Sequence, residues 1–139
     1  MATVSEVMKC EVLTVAPEDS IGDAAEKMTE ADVGAVVVSD FGRLIGILTE
    51  RDVMRAVARR THSSIARVRE WMTSDPVTAP PDMDARQAAK TMLEHGFRHL
   101  PVVDDDMPIG IVSLRDIARW AIADAAAGAP AQGSGSERD

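Results

Sequence analysis

The stretch LIGILTERDV, residues 44–53, returns as PIGIVSLRDI at residues 108–117, so one short chain spells Gly-Ile-aliphatic-hydroxyl-x-Arg-Asp twice. Two readings compete. A hydroxyl residue at a strand end with an acid three positions on forms a capping box, whose oxygens take up the free N–H groups of a helix start. The same groups beside a glycine can instead hold a ligand. Glycine lets another group approach the backbone, a helix start attracts phosphate, and a carboxylate accepts from both hydroxyls of a ribose.

The copy extends far beyond this stretch. A displacement of 64 residues lays VSEVM (4–8) on VREWM (68–72), Thr14 on Thr78, Pro17 on Pro81 and Val38 on Val102, without a gap. A register that survives turns as well as apolar positions requires the same local structure in both halves. The first unit is therefore placed at residues 1–60, a connecting segment at 61–67 and the second unit at 68–127. The tail at 128–139, Gly, Ser, Pro and Ala without apolar periodicity, reads as disordered.

Each unit reads as strand, helix, strand, strand, helix. After LTV (13–15), Ser20 and Asp23 signal a helix start, and Ile21, Ala24, Ala25 and Met28 form one apolar face. Asp84 to His95 repeats the design with Ala85, Ala88, Ala89 and Met92, and Gly96 supplies a left-handed stop. AVVV (35–38) and LPVV (100–103) are continuous aliphatic runs, as in strands covered on both faces. After turns at SDFGR and DDDMP come the strands LIGIL and PIGIV, then helices over about Glu50–Arg60 and Leu114–Ala127.

Composition narrows the function. With 15 basic against 23 acidic side chains the net charge is −8, which repels a phosphate backbone, and two Phe, two Trp and no Tyr offer no stacking platform. Nucleic acid is not an expected partner. Cys10 stands alone and forms no internal disulfide, no signal-peptide pattern opens the chain, and no apolar run spans a bilayer. The expectation is a cytoplasmic protein without a membrane partner. His95 and His99 are four apart but interrupted by Gly96, which disfavours a metal pair. Met8, Met28, Met72 and Met92 recur in register as core fillers, and Trp71 and Trp120 are expected where the two units meet. Arg51 and Arg115 read as solvated partners of nearby acids.

The ordered set V-x-x-[VW]-M, a Thr followed by Pro, an Ala-rich helix, [AL]-[VP]-V-V and G-I-[LV]-[TS]-x-x-D resembles the cystathionine β-synthase (CBS) domain, over residues 4 to about 125. The resemblance implies an α/β (α+β) fold in which two tandem β-α-β-β-α units pack through their sheets with pseudo-two-fold symmetry, leaving two clefts. It makes Asp52 and Asp116 ribose acceptors, Thr49 and Ser113 phosphate contacts, and Thr14 and Thr78 neighbours of the base. Ala35, Val36, His99 and Leu100 would hold adenine, while Arg98 and His99 could reach phosphates. Because Gly34-Ala35 stands where the second unit has Arg98-His99, the cleft with Ser113 and Asp116 is expected to bind better, provided Arg98 or His99 meets the phosphate.

The function so implied is a regulatory module, not an enzyme, that needs no cofactor. It would bind AMP, ADP, ATP or S-adenosylmethionine, pair as a homodimer and signal to an effector protein. The alternative is a purely structural dimerisation module with vestigial clefts.

Overall fold

Ser20 accepts a hydrogen bond from the Asp23 N–H and so opens a helix, α2 (Ile21–Ala31), whose Ile21, Ala24 and Met28 are buried. Its counterpart α5 (Ala85–His95) starts at Asp84 and ends at Gly96 with φ 80°. At the equivalent end of α2 the left-handed residue is Asp32, φ 55°, one of the few non-glycine types that tolerates it. The computed structural model describes residues 2–128. The tail reading at 128–139 therefore lies, beyond its first residue, outside the described residues.

The aliphatic runs form β2 (Ala35–Asp40) and β5 (His99–Asp104), each paired antiparallel with the Gly-Ile strand that follows, β3 (Arg43–Thr49) and β6 (Met107–Ser113). Both hairpins turn through two residues of positive φ, Phe41-Gly42 and Asp105-Asp106, as tight right-twisted hairpins demand. The tips meet: Arg43 bonds Asp106 at 2.9 Å, and the Leu44 N–H donates to the Asp106 carbonyl. Helices α3 (Glu50–Ala58) and α6 (Leu114–Gly128) follow their strands directly. The first strand expected in each unit is short: β1 (Thr14–Val15) runs parallel to β2, and its counterpart is the single bridge from Ala79 to Val102.

Sequence reading expects a short helical turn within THSSIARVREWM (61–72), but not its twin near the start of the chain nor where the two pack. Each half carries an additional helical turn, α1 (Val4–Val7) and α4 (Val68–Trp71), and each packs on the other half. Val4 is fully buried among Ala88, Met92, Leu100 and Val112, whereas Val68 is fully buried among Val15, Ile21, Val36 and Leu48. Burying each valine contributes roughly 1.5–3 kcal/mol. The hydrogen bonds repeat with the same exchange: Val4 N to Met83 O at 2.8 Å and Val68 N to Asp19 O at 2.9 Å, Ala85 N to Ala2 O and Ile21 N to Ala66 O at 2.9 Å. This correspondence under the 64-residue displacement is the pseudo-two-fold axis.

The exchange also explains the glycines of the repeated motif. β4 (Thr73–Ser74) pairs with β3 opposite Gly46 and Ile47, and Lys9 bridges to Ile111 beside Gly110. A Cβ on Gly46 would lie 2.8 Å from Met72 Sδ and 2.9 Å from the Thr73 carbonyl; on Gly110 it would meet Met8 Sδ and the Lys9 carbonyl. The group that approaches the glycine backbone is thus the exchanged segment, not a ligand. Met8 and Met72 fill the gap, and Met28 and Met92 are buried, in keeping with their reading as core fillers. Trp71 packs on the core of the first half, but Trp120 packs on its own unit and lines an outer groove between α5 and α6, away from the expected meeting of the halves.

Candidate functional site

At the start of α3 the capping box is formed in full. Asp52 Oδ2 accepts from the Thr49 N–H at 2.9 Å and the Thr49 hydroxyl at 3.0 Å, and the Asp52 N–H donates to Thr49 Oγ1 at 3.3 Å. At α6, Asp116 Oδ2 accepts from the Ser113 N–H at 3.1 Å and the Asp116 N–H donates to Ser113 Oγ at 3.0 Å. Both acids are buried, as a capping carboxylate satisfied by backbone donors can be. A carboxylate has about four acceptor positions, however, and the cap engages only one oxygen. Asp52 Oδ1 carries a single 3.6 Å ion pair to Arg55. Cap and ligand are therefore compatible at Asp52.

Beside that carboxylate opens a cavity of about 350 Å³. Its walls come from both halves: Thr49 and Asp52 from the first, Arg98 and His99 from the second. Arg51, Arg55 and Arg98 give it cationic groups, Ile47, Pro76, Val77 and Phe97 an apolar wall, and Asp75 and Glu50 further carboxylates. The Glu50 N–H donates to the Gly34 carbonyl at 2.9 Å and the Asp52 N–H to its cap, so the Arg51 N–H is the helix-start donor without a partner among the described residues. An apolar wall, an available carboxylate oxygen and arginines beside a helix start together suit a base, a ribose and a phosphate.

Four of the residues singled out in the sequence thus come together: Thr49, Asp52, Arg98 and His99. Thr14, Ala35, Val36, Thr78, Leu100, Ser113 and Asp116 do not line this cavity. Leu100 and Val36 are fully buried in the cores. The start of β5 stands beside both clefts: His99 pairs with Ser113 across the hairpin and feels the Asp116 carboxylate, and Arg98 and His99 also line the cavity of Thr49 and Asp52. Sequence reading missed Pro76, Val77 and Phe97, which lie outside the repeated motif, and for Arg51 ranked a phosphate contact below a solvated role. Among the described residues no cluster of three acidic, His or Cys side chains could hold a metal ion, and no helix is long and apolar enough to cross a membrane.

His99 is half-buried, and burial is the largest influence on its imidazole, holding its pKa below the ordinary 6.5 against the opposing pull of Glu50 and Asp116. A histidine whose folded pKa is lowered stabilises the fold above the unfolded value, and this contribution is lost as pH falls through the folded value. Denaturant midpoints measured from pH 7.5 to 5.5 are expected to fall below about pH 6.5, and His99→Gln to flatten that fall. Identical profiles would show that His99 stays solvated.

The CBS domain model matches residues 4–59 and 68–123. The chain belongs to the CBS domain family. The CBS domain-containing protein YhcV of Bacillus subtilis is 36% identical over 118 residues, 85% of this chain and 84% of its own. The CBS-domain protein ATU1752 of Agrobacterium tumefaciens superposes with a TM-score of 0.80 at 34% identity, covering 86% of this chain and 99% of that one. The CBS domain pair of the protein MJ0100, solved in complex with 5′-methylthioadenosine and S-adenosyl-L-methionine, superposes with a TM-score of 0.82 at 28% identity, over 89% and 98% of the two chains. The fold here is that of a CBS pair, two repeated units of mixed helices and strands.

Proposed function

We propose that this CBS pair is a regulatory module that binds an adenosine-containing ligand bearing phosphate in the cavity between Asp52 and Arg98. The observation that carries the reading is that one cavity joins the ribose-acceptor geometry of the first half to the cationic start of β5 in the second. A ligand held there bridges the halves, so it favours the packing in which both walls are in place and biases what an effector protein meets. The complex of MJ0100 with adenosyl ligands supports the ligand class. Arg51, Arg55 and Arg98 can meet the phosphates of AMP, ADP or ATP, while Glu50, Asp52 and Asp75 can meet the positive charge of S-adenosylmethionine. The module acts by binding and not by catalysis.

Thermal shift and calorimetry with AMP, ADP, ATP and S-adenosylmethionine test this. A ligand at a hundred times its Kd stabilises by about 2.7 kcal/mol. Absence of any shift at millimolar ligand would leave the CBS pair as a structural dimerisation module.

The homodimer belongs to the same proposal. Leu93 is 70% exposed beside Trp120 in the groove between α5 and α6, Ile122 is 71% exposed elsewhere on α6, and Met54 and Val57 are exposed on α3. Apolar side chains so grouped on the outer helices suit a second copy. Leu93→Asp is expected to shift the molecular mass in light scattering from dimer to monomer with the AMP response of the cavity retained. An unchanged mass would remove these helices from the interface.

A further inference from the structure

His99 occupies the place where the halves touch. A side-chain carbon on Gly34 of the first half would lie 3.2 Å from His99 Nε2 and 3.5 Å from Glu50 Cδ, so the imidazole and the Glu50 carboxylate flank the same point. The charged groups around the ring are Glu50 at the start of α3, Asp116 at the start of α6, Arg98 just before β5 and Lys9 on the exchanged segment. Two acids face two bases, so the ring's protonation is decided by what else enters the cavity. Burial disfavours the charged form of the imidazole. A phosphate placed against Arg98 adds negative charge within reach of the ring, in surroundings of reduced dielectric.

We propose that an anionic group entering this cavity is bound together with a proton taken up on His99, so that the site's affinity for phosphorylated ligands rises as the pH falls. This rests on the nucleotide reading above and adds a regulator to it. No bond is made or broken: the proton comes from solvent, goes to the ring and leaves with the ligand. By linkage, one coupled proton changes affinity by up to about tenfold per pH unit, between the ring's value in the empty site and its value in the filled one. The protein then reports nucleotide and acidity jointly.

The test is calorimetric titration of AMP into wild type and His99→Gln at pH 7.5, 6.8 and 6.0. The phosphate's own titration affects both proteins alike, so the difference between them isolates the ring. The wild-type Kd is expected to fall about three- to tenfold relative to the variant over this range. Nuclear magnetic resonance of the wild-type His99 ring, with and without inorganic sulfate, whose charge is constant here, provides a measurement that needs no variant. Its titration midpoint is expected to move up with sulfate. Equal pH dependence in the two proteins, or a midpoint indifferent to sulfate, overturns the coupling while the nucleotide reading stands. If AMP binds neither protein at any pH, both fall.

Discussion

Gly110→Ala is expected to destabilise the protein by about 2 kcal/mol or more, although the change adds one methyl group. Overpacking a filled interior costs about 1–3 kcal/mol, and here the new Cβ would meet not only Met8 Sδ, which can swing away, but the Lys9 carbonyl at 2.9 Å, which cannot. The only relief is for the exchanged segment to lift, and that breaks the Lys9 to Ile111 bridge and uncovers Val4. Gly46→Ala is expected to act alike through Met72 and Thr73. Gly96→Ala is the control: no atom lies within 4 Å, so only its φ of 80° is penalised, at about 1 kcal/mol. Chemical denaturation gives the ranking, and hydrogen exchange at residues 4–9 shows whether the segment has lifted in Gly110→Ala. Met8→Ala added to Gly110→Ala should restore little, because the backbone conflict stays. A Gly110→Ala protein as stable as wild type would mean that the exchanged segments do not clamp the halves together.

The same glycines show where sequence reading stops. Helix faces, caps and hairpins were legible because each depends on neighbours along the chain: Ser20 with Asp23, Gly96 at its helix end, alternate runs of aliphatic residues. The 64-residue register also announced a symmetric pair. What a glycine makes room for depends on a partner distant in the chain, and Met8 and Lys9 carry no local sign that they belong beside Gly110. Arg98 and His99 show the same limit. The family resemblance placed them in the second unit, next to Ser113 and Asp116, where His99 does pair with Ser113 and the Leu114 N–H bonds the Arg98 carbonyl at 3.0 Å. Their side chains nevertheless line the cavity at the start of α3. A repeat gives each element's form, whereas the clefts are made by elements of unlike repeats.

Asp52→Ala and Asp116→Ala are expected to behave alike in stability and differently in binding, and the contrast decides whether the repeated Thr/Ser-x-x-Asp is a cap alone. Each loses a carboxylate that accepts from its cap residue's N–H, at about 1 kcal/mol. If capping were the whole role, the two losses would be the whole phenotype. Asp52, however, keeps Oδ1 free of the cap in a cavity that also presents Arg98 and His99. Hydrogen bonds from ligand hydroxyls to a charged acceptor contribute about 1.5–3 kcal/mol, so Asp52→Ala is expected to weaken AMP binding roughly ten- to a hundredfold. Asp116→Ala is expected to weaken it only a few-fold, since that acid does not line the cavity and acts on it only through the His99 ring. Calorimetry on both variants, at a temperature where each is fully folded, separates binding from stability. Equal losses of affinity would assign a ligand to each cleft, and undiminished affinity in Asp52→Ala would return the carboxylate to its amides alone.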